Sequence, residues 1–200
     1  TTKRFEIKFC IVILFKLFGL RGLYIAVTLG IMLANLQGGK VSDLNLFGQT
    51  FTVSMGAIMY SGIYFATDLI SEKYGRSEAN TAVILGALSN IVIMFTLVLS
   101  TYYLPSQIAT SSESVHNAIE TLAFYSPIFV LGSITAYLIS QTFDVWIFNK
   151  IKDITKGKYL WLRNNLSTLS SQALDTFIYT FVWVLAGELS FLVALSICLL

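Results

Sequence analysis

The chain has 200 residues, of which 56% are hydrophobic and only 12% are charged, and its formal net charge at pH 7 is +2. Soluble domains carry about 25% charged residues, so a chain this poor in charge cannot cover its surface with groups that prefer water. These values exclude a soluble enzyme, a nucleic-acid-binding protein with its basic surface, and a disordered chain with its low hydrophobicity. They predict an all-α integral membrane protein with several spans.

The residues best suited to metal ligation are scarce. Cys10 and Cys198 lie in apolar stretches at opposite ends of the chain, and the single histidine, His116, lies in a polar segment. This is neither a disulfide framework nor a spacing that binds zinc or haem. We therefore expect no metal site and no cofactor.

Apolar stretches predict an N-terminal helix over residues 5–20 and six spans after it, since a helix needs about 20 mostly apolar residues to cross a bilayer. The six predicted spans are residues 22–36, 48–70, 81–104, 122–148, 164–187 and 189–200, and we expect the last one to be incomplete. The helix over 5–20 carries Lys8 and Lys16, and it either spans the membrane or lies along its surface. The chain thus divides into residues 1–21 and a transmembrane bundle over residues 22–200.

The basic residues orient this bundle. Arg21 precedes the first of the six spans, Lys73 and Arg76 follow the second, and five more basic residues lie between residues 149 and 163, whereas the opposite loops hold only Lys40. Loops rich in Lys and Arg stay in the cytoplasm. We therefore predict a multi-pass protein of the plasma membrane, with the basic side and the C-terminus in the cytoplasm.

Three aspartates, Asp68, Asp144 and Asp175, lie in or near the predicted spans. An acidic side chain at the centre of a span costs about 2.5–3.5 kcal/mol on insertion scales and usually marks a functional site. Each aspartate belongs to a polar stripe with helical spacing. The stripes contain Ser54, Ser61, Tyr64 and Asp68; Ser133, Tyr137, Gln141, Asp144 and Phe148; and Asn165, Thr168, Gln172, Asp175 and Tyr179.

Polar stripes cannot face lipid, so we expect the three stripes to converge inside the bundle. Residues 140–144 and 171–175 share the pattern Ser-Gln-x-x-Asp, whose amide and carboxylate point the same way. Such pairs suit hydrogen bonding to the edge of a nitrogen heterocycle. Single Ser, Thr, Asn and Gln residues also suit helix packing, and we expect packing at Gly86 and a solvated or snorkelling role for Glu72.

Three segments resemble the motifs of the queuosine precursor transporter family, also catalogued as vitamin uptake transporters. Residues 65–75, FATDLISEKYG, resemble its Thr-Asp-x-x-x-Glu-x-Tyr-Gly signature. Residues 140–148 resemble its Gln-x-x-Asp-Val motif, residues 160–176 resemble its third motif, and Asn35 fits the asparagine that closes its first span. The resemblance covers residues 22–187 in the right order.

The resemblance implies a six-span bundle similar to the substrate-binding subunits of energy-coupling-factor transporters. It implies import of 7-deazaguanine bases for tRNA modification, such as 7-cyano-7-deazaguanine, 7-aminomethyl-7-deazaguanine or queuine. The expected partners are this heterocyclic base and the lipid bilayer, without nucleic acid, and a homo-oligomer or an energising module stays open. The expected substrate path comprises Asn35, Tyr64, Asp68, Gln141, Asp144, Asn165, Gln172 and Asp175, and Glu72, Arg163 and Asn164 are candidates for gating or a role at the cytoplasmic end.

Two other functions stay open at this point. The chain could be a binding subunit that needs a separate energising module, or an intramembrane enzyme that uses Asp144 and Asp175. The predicted orientation places the aspartates in the cytoplasmic half, whereas coupling-factor subunits bind substrate near the outer face. Either the site lies deeper in this chain, or some of the aspartates serve gating or proton coupling.

Overall fold

The computed structural model describes residues 2–38, 40–46, 49–108, 111–123, 127–185 and 187. Their elements are α1 (Thr2–Phe18), α2 (Leu20–Gln37), β1 (Val41–Leu46), β2 (Gln49–Ser54), α3 (Met55–Lys73), α4 (Arg76–Thr101), α5 (Ser112–Ala123), α6 (Pro127–Ile154) and α7 (Leu160–Leu185). The predicted helical bundle is confirmed. Five of the six predicted spans correspond to α2, α3, α4, α6 and α7. The sixth, residues 189–200, lies outside the described residues, so the count of six spans stays a prediction.

A β-hairpin corrects the predicted start of the third helix. The prediction began this helix at residue 48, whereas residues 49–54 form β2 and α3 begins at Met55. β1 and β2 pair antiparallel, with Val41 opposite Ser54. Residues 50–53 alternate polar and apolar side chains and are rich in β-branched and aromatic types, which favours a strand over a helix. Ser54 therefore does not belong to the helical stripe of α3.

The connection between α4 and α6 contains a further helix that the sequence reading treated as a loop. This helix, α5, has 12 residues, and at a rise of about 1.5 Å per residue it is too short to cross a bilayer. It contacts α4. The predicted span over 122–148 accordingly begins later than expected, at Pro127.

By length and apolar composition, two of the described helices could cross a membrane: Leu20–Gln37 and Arg76–Thr101. α4 has the two faces expected of a lipid-exposed helix. One face is buried and consists largely of small residues, whereas the other exposes large apolar side chains, which water would not favour. The exposed residues include Ile84, Leu88, Val92, Phe95 and Leu99.

The helix α1 turns directly into α2. Gly19, with φ of +59°, separates them in a conformation that residues with a Cβ rarely adopt. At Gly22 a Cβ would lie 2.1 Å from the carbonyl oxygen of Leu14, so only glycine allows this close approach. α1 packs against α2 and α3. The choice between a spanning and an interfacial α1 stays a prediction, and so does the division at residue 21.

The apolar core lies where α2, α3 and α4 meet. Its largest members include Leu23, Ile31, Ile63 and Ile70. At Gly86 of α4, a Cβ would lie 2.4 Å from the hydroxyl oxygen of Tyr137 on α6, which agrees with the predicted role of this glycine in close helix packing.

The buried face of α7 has a different character. Its fully buried residues in the described part of the chain are polar: Arg163, Ser167, Ser171 and Thr180. The interior of the bundle is therefore apolar between α2, α3 and α4, and polar where α3, α6 and α7 meet. The candidate site therefore lies where α3, α6 and α7 meet.

Candidate functional site

Two reciprocal hydrogen bonds join α6 and α7. The Ser171 hydroxyl on α7 donates to Asp144 Oδ1 on α6 at 3.0 Å, and the Ser140 hydroxyl on α6 donates to Asp175 Oδ1 on α7 at 3.0 Å. Each serine precedes the aspartate of its own helix by four residues, so it lies one turn away on the same face. The Ser-Gln-x-x-Asp repeat thus supplies both halves of the pairing, through its serine rather than through its glutamine.

Asp68 on α3 completes a group of three carboxylates. It is 3% exposed, and it interacts electrostatically with Asp144 on α6 and with Arg163 on α7. Among the described residues, neither oxygen of Asp68 has a hydrogen-bond donor, and Asp144 Oδ2 has none either. A buried polar group without a partner is costly, so these oxygens indicate a place where a ligand supplies the missing donors.

Two further buried side chains have unused polar atoms beside the carboxylates. The Gln141 carbonyl oxygen accepts a hydrogen bond from the Thr67 hydroxyl at 3.4 Å, but its Nε2 has no acceptor among the described residues. The Tyr64 hydroxyl is also without a partner there, although it lies within electrostatic reach of Asp144 and Asp175. We call Tyr64, Asp68, Gln141, Asp144 and Asp175 the central polar cluster.

A second polar group ties the same three helices together where their basic residues lie, which we call the basic end. Arg163 Nη2 lies 2.5 Å from Glu72 Oε2, and Lys152 Nζ lies 3.3 Å from the same oxygen. We call Glu72, Lys152 and Arg163 the basic-end ion cluster. Glu72 is 27% exposed on its side chain and has two cationic partners, so the structure does not support the expectation of a freely solvated residue.

Arg163 is the most deeply buried member of this ion cluster. It is 1% exposed, and its Nη1 donates to the backbone carbonyl oxygens of Gly157 and Lys158 at 3.0 and 3.2 Å. Its guanidinium also lies 5.4 Å from the ring centroid of Phe148, within the range of a cation–π contact. Arg163 therefore links the α6–α7 connection to α3.

A groove of about 580 Å³ opens between α3 and α7. Pockets for small ligands commonly have volumes of about 300–1,000 Å³, so a small heterocycle would fit. The groove connects the central polar cluster, through Asp68, with the ion cluster, through Glu72. Its lining residues are Phe65, Asp68, Leu69, Glu72, Leu160, Trp161, Asn164 and Asn165.

Two predicted path residues on α7 lie outside the central polar cluster. Gln172 is exposed, because the inward face of α7 runs through residues 163, 167, 171 and 175. The Asn165 side chain is exposed at the groove and donates to the carbonyl oxygen of Trp161 at 2.7 Å. The predicted stripe on α7 shares only Asp175 with the face that contains Ser171.

Asn35 also lies apart from the carboxylates. Its Oδ1 accepts a hydrogen bond from the Ser133 hydroxyl at 2.6 Å, which joins α2 to α6. Ser133 precedes Asp144 by eleven residues on α6, a separation of about 16 Å along the helix. Asn35 therefore lies about three helical turns from Asp144 along α6.

Sequence reasoning did not single out Thr67, Ser140, Ser167 or Ser171 as site residues, although all four are buried. The signal was present on α7, where Arg163, Ser167, Ser171 and Asp175 recur at steps of four. If the serines are considered as hydrogen-bond partners for the aspartates rather than as packing residues, this spacing identifies Ser167 and Ser171 as site residues.

The described part of this bundle exposes apolar side chains on its outside and buries carboxylates, an amide and hydroxyls at its centre. This arrangement is typical of a membrane protein that binds a polar solute. Comparison with known proteins identifies the family to which the chain belongs. A family model described as "Putative vitamin uptake transporter" matches residues 54–199. No solved structure matches this chain.

Three relatives have matching names. A "Probable queuosine precursor transporter" of Bacillus subtilis (strain 168) is 41% identical over 178 residues, which are 88% of this chain and 74% of that protein. A protein of the same name from Haemophilus influenzae is 25% identical over 65% of this chain and 51% of its own length. A "Queuosine precursor transporter" of Escherichia coli (strain K12) is 24% identical over 66% of this chain and 55% of its own length.

The chain belongs to this family of membrane transporters. The resemblance found in the three motifs is confirmed, and so is the prediction that the protein is a transporter and not an enzyme. An intramembrane enzyme built on Asp144 and Asp175 is therefore set aside.

Proposed function

We propose that the protein imports queuosine precursors, which are 7-deazaguanine bases, along a path formed by the α3–α7 groove and the central polar cluster. The observation that carries this proposal is a pair of buried side chains, Asp68 and Gln141. Asp68 lines the groove, and among the described residues neither Asp68 oxygen has a donor and Gln141 Nε2 has no acceptor. The name of the B. subtilis relative, at 41% identity, supports the choice of solute.

The chemistry of such a base matches the unused atoms of the cluster. The guanine-like edge carries N–H donors and a carbonyl acceptor. The carboxylate of Asp68 can accept from the N–H groups, and the Nε2 of Gln141 can donate to the carbonyl oxygen. Phe65 and Trp161 line the groove and offer aromatic faces for the flat ring. A base with an aminomethyl cation would pair with a second carboxylate, such as Asp144 or Asp175.

We also propose that the basic end faces the cytoplasm and that the ion cluster closes this side of the path. Glu72 and Arg163 hold α3 against α7, and both Glu72 and Asn164 line the groove. Release of the substrate into the cytoplasm then requires these helices to separate. The excess of basic residues at this end supports the orientation.

A salvage assay tests the proposed function. A bacterium that cannot make queuosine precursors, and lacks its own transporter, is supplied with an external precursor and this gene. We expect restored queuosine in its tRNA, loss of that restoration for Asp68→Asn and Asp175→Asn at normal membrane expression, and full activity for Asp153→Asn, an exposed control. Failure of the intact gene to restore modified tRNA would refute the proposed function.

A second candidate, which follows from the expected similarity of the family to coupling-factor subunits, is a binding subunit that needs a separate energising module. The purified protein in liposomes distinguishes the two roles. Accumulation of a 7-deazaguanine base by the protein alone excludes the need for a module, whereas binding without accumulation favours it. Sedimentation of the same sample tests the possible homo-oligomer.

A further inference from the structure

The contact between α3 and α6 places two buried carboxylates side by side. Asp68 and Asp144 are 3% and 0% exposed, and they interact directly. Ser171 donates to one oxygen of Asp144, and the other three oxygens of the pair have no donor among the described residues. Two like charges in contact inside a bundle repel each other strongly, since the low dielectric screens them weakly.

The cations of the structure do not neutralise this pair. Arg163 lies within electrostatic reach of Asp68, but its hydrogen bonds go to Glu72 and to two backbone carbonyl oxygens. Lys152 pairs with Glu72 as well. If all groups are ionised, Arg163 and Lys152 carry two positive charges, one of which balances Glu72. One positive charge then remains against the three negative charges of the aspartates.

From these observations we infer that the Asp68–Asp144 pair binds a monovalent cation, either a proton or Na⁺, in addition to the transported base. Carboxylate oxygens are hard donors that suit both ions. The Tyr64 hydroxyl is 2% exposed, has no partner among the described residues and lies within electrostatic reach of Asp175 and Asp144, so it adds a polar oxygen near this site. The role of the cation in transport rests on the proposed function, but its binding does not.

The groups that surround the pair come from each helix packed on α3. Tyr64 and Glu72 belong to α3 itself, and Arg163 and Asp175 come from α7. On the far side, the Lys8 ammonium of α1 lies over the ring of Phe65, 5.5 Å from its centroid. At the contact of α2 with α4, Tyr24 and Glu78 bind each other. Among the described residues, none of these cationic groups is hydrogen-bonded to Asp68 or Asp144, so this directly interacting pair of buried carboxylates is the one that we assign to the cation.

Such a site has a direct use in import. A monovalent cation that enters from outside with the base would cancel one of the two negative charges of the pair and so remove the repulsion between α3 and α6. Its release to the cytoplasm would restore that repulsion. The ion gradient then drives accumulation, and no separate energising module is needed. Asp68 lines the groove, so the site lies beside the proposed path of the base.

The test measures cation binding by the purified full chain in nanodiscs, with no base present. Infrared difference spectra between acid and alkaline pH report the carbonyl stretch of a protonated buried carboxyl group. If the cation is a proton, we expect this band in the wild type, its loss in Asp68→Asn and Asp144→Asn, and its retention in Asp153→Asn. Asp144→Glu keeps a carboxyl group and serves as the second variant, which should shift the band without removing it.

A second measurement identifies sodium. If the cation is Na⁺, the temperature of unfolding at alkaline pH rises with NaCl but not with equal KCl, and the two Asn variants lose this shift while Asp153→Asn keeps it. A carboxyl band or a sodium shift that depends on both aspartates supports the site. Absence of both signals in the folded wild type, or their persistence in both Asn variants, overturns it.

Transport of the base is measured separately, so the two proposals can fail independently. A cation signal without uptake of any 7-deazaguanine base would support the cation site and refute the proposed substrate. Uptake of the base that does not respond to imposed proton or sodium gradients would support the proposed substrate and refute the coupling of its transport to a cation.

Discussion

The Glu72–Arg163 ion pair provides a quantitative test of how α3 is held against α7. Glu72→Gln removes the charge opposite a guanidinium that is only 1% exposed, at a distance of 2.5 Å. Loss of one partner from a fully buried pair costs about 3–5 kcal/mol. Because the Glu72 side chain is 27% exposed and exposed pairs contribute about 0–1 kcal/mol, we expect the free energy of unfolding to fall by about 2–3 kcal/mol.

Lys152→Gln is the matched control. Lys152 contacts the same oxygen of Glu72 but is 30% exposed, so its loss should lower the free energy of unfolding by less than about 1 kcal/mol. In the double variant Glu72→Gln/Arg163→Gln, the guanidinium charge is absent as well, so this contact no longer contains a buried charge that has lost its partner. Its cost should therefore be smaller than the sum of the two single variants, by about 0.5–3 kcal/mol.

The assay is reversible unfolding of the purified protein in mixed micelles, followed by helical circular dichroism. Equal losses for Glu72→Gln and Lys152→Gln, both below about 1 kcal/mol, would show that the burial of Arg163 does not determine the strength of the contact. Additive losses in the double variant would lead to the same conclusion.

Two further predictions concern contacts of α6. Ser171→Ala removes a donor from Asp144 and should lower the free energy of unfolding by about 1–3 kcal/mol. The neighbouring Ser170→Ala, whose hydroxyl donates to the carbonyl oxygen of Leu166 within α7, should change it by less than about 0.5 kcal/mol. Equal effects of the two variants would contradict the role of the Ser171–Asp144 bond in holding α6 and α7 together. Gly86→Ala should cost about 1–3 kcal/mol through overpacking, and adding Tyr137→Phe, which removes the oxygen that the new Cβ would meet, should recover much of that loss in the same unfolding assay; no recovery would mean that the crowding lies elsewhere.

The helices themselves could be predicted from the sequence because lipid-facing segments must be apolar over most of their length. The aspartates Asp68, Asp144 and Asp175 could also be identified as site candidates from the sequence, because charged residues are rare in such apolar segments. The start of α3 could not be found this way. An apolar count does not distinguish residues 50–53, whose alternation favours a strand, from the helix that begins at Met55.

The partners of the aspartates were harder to predict, because pairing between helices depends on their relative rotation. The sequence placed Gln172 beside Asp175 with helical spacing, yet Gln172 is exposed and Ser171 faces α6. A rotation of one residue, about 100° on a helix, decides between them. The burial of Arg163 likewise depends on Glu72, which lies 91 positions away in the chain, and no local pattern reports that contact.

The reciprocal serine–aspartate bonds also constrain how the protein enters the membrane. The first half of α7 is polar and Asp175 lies within the helix, and on insertion scales a central aspartate alone opposes partitioning by about 2.5–3.5 kcal/mol. α6 and α7 are joined by only the five residues 155–159, so α6 is the nearest segment that can satisfy Asp175, through Ser140. We therefore expect the insertion machinery to release the two helices into lipid as one hairpin. In this protein, the serines and aspartates of the candidate site should then also make membrane integration cooperative.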